Sequence, residues 1–234
     1  FTNCTFAGNQ SGGSGGGAYV ETATPNFINV NFYGNNSANE EGDGLVLSAG
    51  STVDVTNSIF WNNNPEQIKF KSGGDANSLT VAYSNIQGGQ NGIVTNNNGT
   101  VTWGSGNIDV DPMFADTANG NYHLLASSQL INAGHPDSTD SDGTVADIGA
   151  YPYLNSYSGP TWYITEAGND TTATGASDDP FRSIQAALNF GSDDDIAYVS
   201  AGTYNENLVY RYDQSSSIRS VSLIGDNKET TIID

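Results

Sequence analysis

The sequence predicts an all-β protein, a right-handed parallel β-helix (solenoid) with one short capping helix near residues 180–190. Three observations predict it. One short phrase, a polar pair followed by small or apolar residues and then Phe or Ile, recurs as Asn3-Cys4-Thr5-Phe6, Asn29-Val30-Asn31-Phe32, Asn57-Ser58-Ile59-Phe60 and, more loosely, Tyr83-Ser84-Asn85-Ile86. Its closing residues lie 26, 28 and 26 positions apart (6 to 32, 32 to 60, 60 to 86), a period that belongs to stacked coils rather than to one globular core. The phrases sit in segments of period-two alternation, such as Ile28-Asn29-Val30-Asn31-Phe32, separated by turn residues.

Composition agrees with short, half-buried strands. Only 36% of the 234 residues are hydrophobic and 14% charged, which alone would suggest disorder, but 10% are aromatic and the alternation is regular. The 26 acidic residues outweigh 6 basic ones, for a net charge of -20, so nucleic acid and anionic lipid are poor partners while hard cations are favoured. Cys4 is the sole cysteine and cannot form a disulfide within the chain. No apolar run approaches the roughly 20 residues a membrane-spanning helix needs. The sequence starts at Phe1 inside a repeat, without an initiator methionine or a signal peptide, and is read as part of a longer polypeptide whose export signal or anchor lies elsewhere.

Each early repeat reads as strand, turn, strand, turn. The Gly12 to Gly17 tract leads into Ala18-Tyr19-Val20, and Gly42-Asp43-Gly44 into Leu45-Val46-Leu47. The third copy has Gln67-Ile68-Lys69-Phe70-Lys71 there, with Ile68 and Phe70 on one side and the lysines on the other. Gly8-Asn9, Gly34-Asn35-Asn36 and Asn62-Asn63-Asn64 tolerate positive φ, and their asparagines are expected to stack in hydrogen-bonded ladders. From Trp103 the repeat dissolves, and residues 103 to 153 read as an irregular closing region that shields the last coil. Residues 1–153 are thus the last coils and closing region of one β-helix, and 154–160 a linker. Residues 161–234 are the cap and first coils of a following β-helix. In this last part Asp178 or Asp179 is the expected N-cap and Pro180 the first turn of the helix, with Ile184, Ala187 and Leu188 on its apolar face.

Several stretches resemble a known family. Ser58-Ile59-Phe60-Trp61-Asn62-Asn63, Tyr83-Ser84-Asn85-Ile86-Gln87-Gly88-Gly89, Gly106-Asn107-Ile108-Asp109 through Asp111-Pro112-Met113-Phe114, and Asp142-Gly143 through Asp147-Ile148-Gly149-Ala150-Tyr151 resemble the C-terminal half of secreted bacterial right-handed parallel β-helix proteins of the pectin-lyase-like class. Pro180-Phe181-Arg182-Ser183-Ile184-Gln185-Ala186-Ala187-Leu188, Gly202-Thr203-Tyr204-Asn205-Glu206-Asn207 and Thr230-Thr231-Ile232-Ile233-Asp234 resemble the N-terminal cap and first coils of the same family. The resemblance implies the fold and an extracellular or cell-surface location in bacteria. It implies no single activity, because the family holds lyases, esterases and members without known chemistry. The order here, closing region before cap, suggests the junction of two tandem modules.

Candidate chemistry is sparse. Asp137, Asp140, Asp142 and Asp147, with Gly143 in the turn, form the most ion-like cluster, and calcium is the cation that such carboxylates would take. The competing reading is a turn whose aspartates cap backbone amides. Asp193-Asp194-Asp195 reads as a solvated turn, since consecutive side chains diverge. Lys69 and Lys71 are the candidates for meeting an acidic sugar on a coil face, although the net charge repels a polyanion. Arg182, Arg211 and Arg219 are scattered, and Asp43, Asp54 and Glu40-Glu41 do not converge in the sequence. His123 reads as an outward strand residue, His135 as part of a Gly-His-Pro turn, and Cys4 as a small core residue. Trp61, Trp103 and Tyr33 read as coil-edge aromatics. No catalytic residue is assigned. The functional expectation is a non-catalytic structural or adhesive segment of a large extracellular bacterial β-helix protein, packed end to end against neighbouring modules or identical protomers, the latter arrangement giving a fibre. The alternative is calcium-dependent binding or cleavage of an acidic polysaccharide. A pure carbohydrate-binding module would show an exposed row of Trp and Tyr.

Overall fold

The computed structural model describes residues 1–38, 44–64, 66–210 and 220–234. Glu40, Glu41, Gly42, Asp43, Arg211 and Arg219, singled out above, lie outside the described residues. The chain packs as two units, Phe1–Pro112 with Ala133–Ser138 and Val145–Tyr151, and Met113–Asn132 with Thr139–Thr144 and Pro152–Asp234.

The first unit is a parallel β-solenoid. Its first coil holds β1 (Thr2–Ala7), β2 (Gln10–Ser11) and β3 (Ala18–Glu21), and its second β4 (Asn26–Tyr33), β5 (Asn36–Ser37) and β6 (Leu45–Ser48). The third holds β7 (Thr52–Thr56), β8 (Ile59–Trp61) and β9 (Ile68–Phe70), and the fourth β10 (Asn77–Ala82), β11 (Asn85–Ile86) and β12 (Ile93–Val94). A further strand, β13 (Gly99–Trp103), opens a fifth. Strands at the same place in successive coils pair in parallel, so Phe6 lies beside Phe32, Phe32 beside Phe60 and Phe60 beside Ile86. The rings of Phe6 and Phe32 stack at 4.6 Å and those of Phe32 and Phe60 at 4.5 Å, the column that the repeated phrase predicts. Stacked aromatic pairs add about 0.5–1.5 kcal/mol each beyond the burial of their area. Beside this column Leu45, Ile68 and Ile93 stack on one face and Val53, Leu79 and Val101 on another, all within one apolar cluster.

The corners are set by residues that accept positive φ. Asn3, Asn29, Asn57 and Tyr83, which open the four phrases, have φ of 54, 52, 49 and 48°. Gly8, Gly34, Asn62 and Gly88 occupy the next corner with φ of 63, 62, 57 and 83°. Asn and Gly enter this left-handed region at least cost, so the chain turns at the same place on every coil.

Inside the corners, polar side chains pair from coil to coil. The Asn9 side-chain amide donates to Asn35 Oδ1 at 2.9 Å, and that of Asn35 to Asn63 Oδ1 at 2.8 Å, so the expected asparagine ladder is present. At a second corner the amide of Val30 donates to Ser58 Oγ, that of Ser58 to Ser84 Oγ and that of Ser84 to Asn107 Oδ1. A third runs from the Ala23 amide to Ser51 Oγ and from the Ser51 amide to Asn77 Oδ1. Buried amides and hydroxyls cost free energy unless bonded, and the ladders bond them. The stacking also runs beyond Trp103, where the sequence reading ends the repeat: the Ile86 amide donates to the Ile108 carbonyl, and Asn107 takes the place of Ser84.

Glycines make room for the asparagine ladder. A methyl group on Gly17 would meet the Phe32 ring at 2.8 Å and the Asn35 amide at 3.1 Å, and one on Gly44 would overlap the Gln67 carbonyl and meet the Asn63 amide at 3.1 Å. The equivalent position of the next coil is Gln67, whose side chain turns inward and accepts from the Asn63 amide at 2.8 Å. The coil containing Gly89 supplies no asparagine there, and Gln67 ends the ladder instead. Over the outer side of β4 and β8 lies part of the closing segment, where the Ala150 amide donates to Asn31 Oδ1 and the Gly149 amide to the Asn57 carbonyl. Gly149 has a φ of 120°, and a methyl there would strike the Ile59 side chain at 2.7 Å.

The second unit contains an antiparallel hairpin of β14 (Phe114–Asp116) and β15 (Asn121–Leu124), then a parallel sheet of β16 (Thr161–Ile164), β17 (Ile196–Val199) and β19 (Ser222–Gly225). A second parallel pair joins β18 (Gly202–Tyr204) to β20 (Thr231–Ile233). Helix α1 (Ile184–Phe190) is the one α-helix among the described residues, and Ile184, Ala187 and Leu188 are buried on it as predicted. Its N-cap differs from the expectation. Ser183 is the cap, its hydroxyl accepting from the Ala186 amide. Asp179 accepts instead from the Thr174 amide and hydroxyl. Pro180 precedes an extended segment in which Phe181 bridges to Ile164 and buries its ring against Trp162. Burying that ring outweighs an earlier helix start.

Candidate functional site

The polar groups that could do chemistry fall in three places. On the outer side of β9, Lys69 and Lys71 border a depression of about 440 Å³ with Asn96 and Asn97. Alternation points both lysines outward while Ile68 and Phe70 are buried, as the sequence predicts. Lys69 is paired with Glu66 at 3.1 Å, and Lys71 donates to Ser14 Oγ and lies 5.7 Å from the centre of the Tyr19 ring. The carboxylate beside Lys69 comes from its own coil and neutralises it, which weakens the case for a uronate base.

The aspartate cluster is divided between the units: Asp137 and Asp147 belong to the first, Asp140 and Asp142 to the second. Asp142 acts as a turn cap. Its Oδ1 accepts from the Thr144 amide and hydroxyl and its Oδ2 from the Asn155 amide at 2.9 Å. Burial alone would raise its pKa, but the hydrogen bonds from Asn155 and Thr144 prevail and lower it. Asp147 is buried, and the Asp137 amide donates to His135 Nδ1. Among the described residues no three His, Cys, Asp or Glu side chains are grouped as a metal site.

The third place is a cavity of about 570 Å³ in the second unit, lined among others by Glu166, Asp170, Arg182 and Glu206. The fold positions each carboxylate through backbone amides. Glu166 Oε1 accepts from Thr203 at 3.0 Å, and Asp170 Oδ1 accepts from Arg182 at 2.9 Å and Ser183 at 3.2 Å. Glu206 uses both oxygens on the first turn of α1, accepting from Ile184 at 2.8 Å and Gln185 at 2.9 Å. Desolvation by burial raises the Glu206 pKa, and the two amides and the nearby Asp170 only adjust that shift. Burial likewise raises the pKa of Tyr204, whose hydroxyl donates to the Ser200 carbonyl. In the sequence Glu206 lies within the Gly202-Thr203-Tyr204-Asn205-Glu206-Asn207 stretch with no role assigned to it. A Glu two residues past Tyr204, 22 residues after the helix start, carries no local sign of capping that helix.

The remaining candidates are structural. Cys4 is half-buried in β1 and packs against the apolar cluster, as does Trp103. His123 is exposed on β15, and His135 packs edge-on against Tyr83. Asp54 is exposed on β7. Of the triple-aspartate run, Asp193 accepts from the Ser220 amide, whereas Asp195 departs from the solvated reading. It is buried, accepting from Trp162 Nε1 at 2.8 Å and from the Ser192 amide, because Trp162 lies in the core and needs an acceptor for its indole N–H. A half-buried pair, Tyr163 and Tyr198, lies side by side on β16 and β17 with ring centres 6.0 Å apart.

These features define a parallel β-solenoid protein. Residues 166–230, which include Glu166, Asp170, Arg182 and Glu206, match the family described as "Protein of unknown function (DUF1565)", a family associated with right-handed β-helix proteins. Neither the curated proteins nor the solved structures gave a match.

Proposed function

We propose that this chain is a non-catalytic structural or adhesive segment of an extracellular bacterial β-helix protein. The observation that carries the reading is the internal use of its polar side chains: three corner ladders join successive coils around a stacked phenylalanine column. Such a coil stack resists fraying because each strand is held by its neighbours above and below. In this reading neighbouring modules of the same chain, or identical protomers, pack against it end to end. The net charge of -20 keeps the surface hydrated and discourages non-specific contact with anionic polymers.

The test is made on intact cells that produce the protein. Brief protease treatment should remove an epitope of this segment from the cell surface while a cytoplasmic marker survives. Retention of the epitope until lysis would refute the extracellular role. For the structural part, the purified chain should release no unsaturated product from polygalacturonate, with or without calcium; release would instead establish a lyase.

A further inference from the structure

We propose that the cavity lined by Glu166, Asp170 and Arg182 in the second unit is a binding site for one or two residues of a neutral saccharide. Three properties of the cavity select that ligand. First, its acceptors are fixed before anything binds: backbone amides hold Oε1 of Glu166 and Oδ1 of Asp170, while Glu166 Oε2 and Asp170 Oδ2 make no hydrogen bond among the described residues. Fixed acceptors lose little side-chain freedom when a ligand's hydroxyls donate to them. Second, Arg182 is exposed, lines the same cavity and makes no ion pair among the described residues. A guanidinium can donate to the hydroxyl and ring oxygens of a sugar, so the site offers donors beside acceptors, as a polyol requires. Gln129, Asn205 and Asn207 add amides that do both. Third, Met113 and Leu125 give the lining an apolar part suited to the C–H face of a pyranose, and the volume of about 570 Å³ lies in the range of small-ligand sites.

Other ligand classes fit less well. A metal ion needs converging free carboxylates, and no such group of three occurs among the described residues. An anionic sugar would meet three carboxylates against one guanidinium, and a cationic amine would meet Arg182. The site is separate from the ladders and column of the first unit, so its failure leaves the structural reading standing.

The test is saturation-transfer NMR on the full chain with methyl glycosides of mannose, galactose and glucose, alongside methyl glucuronide and glucosamine. At least one neutral glycoside should receive saturation. Replacing Arg182 by Ala should weaken its binding about tenfold or more, the usual loss for a hydrogen bond to a charged group, with the melting temperature unchanged. Asn207→Ala, on an exposed residue, should also weaken it. The proposal is overturned if no neutral glycoside receives saturation, if only the glucuronide or glucosamine does, or if neither substitution alters binding.

Discussion

Two glycines show how differently one residue type can be required. Gly8 has a φ of 63° with nothing within 4 Å of a would-be methyl group, so it is needed only for its backbone conformation. Gly44 is needed for space, since its methyl would overlap the Gln67 carbonyl beneath the Asn63 amide. Gly8→Ala should therefore cost about 1 kcal/mol, the ordinary penalty of the left-handed region. Gly44→Ala should cost about 2–3 kcal/mol or more, because neighbouring coils would have to part. Urea denaturation of both variants decides it, and equal losses would contradict the close approach. At Phe60, fully buried with Phe32 stacked at 4.5 Å, substitution by Ala should cost about 3–5 kcal/mol by the same measurement. The corner residues and the phenylalanine column were legible in the sequence because each is defined by its own coil and repeats at the coil period. Gly44 was legible as a turn glycine but not as a spacer. That role depends on Gln67 and Asn63 of the following coil, which do not resemble Gly44 in type.

Helix α1 shows the same division one level up. Its apolar residues Ile184, Ala187 and Leu188 announce it by spacing, yet its start is fixed from outside by Glu206 and by the burial of Phe181. A seven-residue helix is too short to be stable by propensity and depends on such contacts. Glu206→Ala would leave the Ile184 and Gln185 amides without their acceptor and should destabilise the second unit by about 1–2 kcal/mol. Glu206→Gln separates charge from shape. Because the folded state raises the Glu206 pKa, its proton is held more tightly in the folded chain than in the unfolded one. The stability linked to that proton is fully present below the unfolded pKa and is lost as pH rises through the folded value. The melting temperature of the wild type relative to Glu206→Gln should therefore rise as pH falls from neutrality through the ordinary glutamate range. Thermal melts at several pH values read this difference, and an opposite slope would mean that the two amide bonds dominate over burial.

For the whole molecule, charge is the property that composition makes plain and that local structure barely offsets. With 26 acidic groups against 6 basic, and one ion pair, Lys69 to Glu66, among the described residues, like charges are held closer in the folded chain than in the unfolded one. Screening should therefore stabilise the fold: raising sodium chloride from 0.02 to 0.5 M, with the Debye length falling below about 10 Å, should raise the melting temperature. Calcium separates two effects, because a specific site adds stability that grows as the logarithm of one plus the ion concentration over its Kd, whereas screening does not distinguish between divalent ions. Asp142 already spends both oxygens on hydrogen bonds from Thr144 and Asn155. At matched ionic strength calcium should thus raise the melting temperature no more than magnesium does. An excess for calcium that disappears in Asp140→Asn or in Asp137→Asn would overturn this expectation.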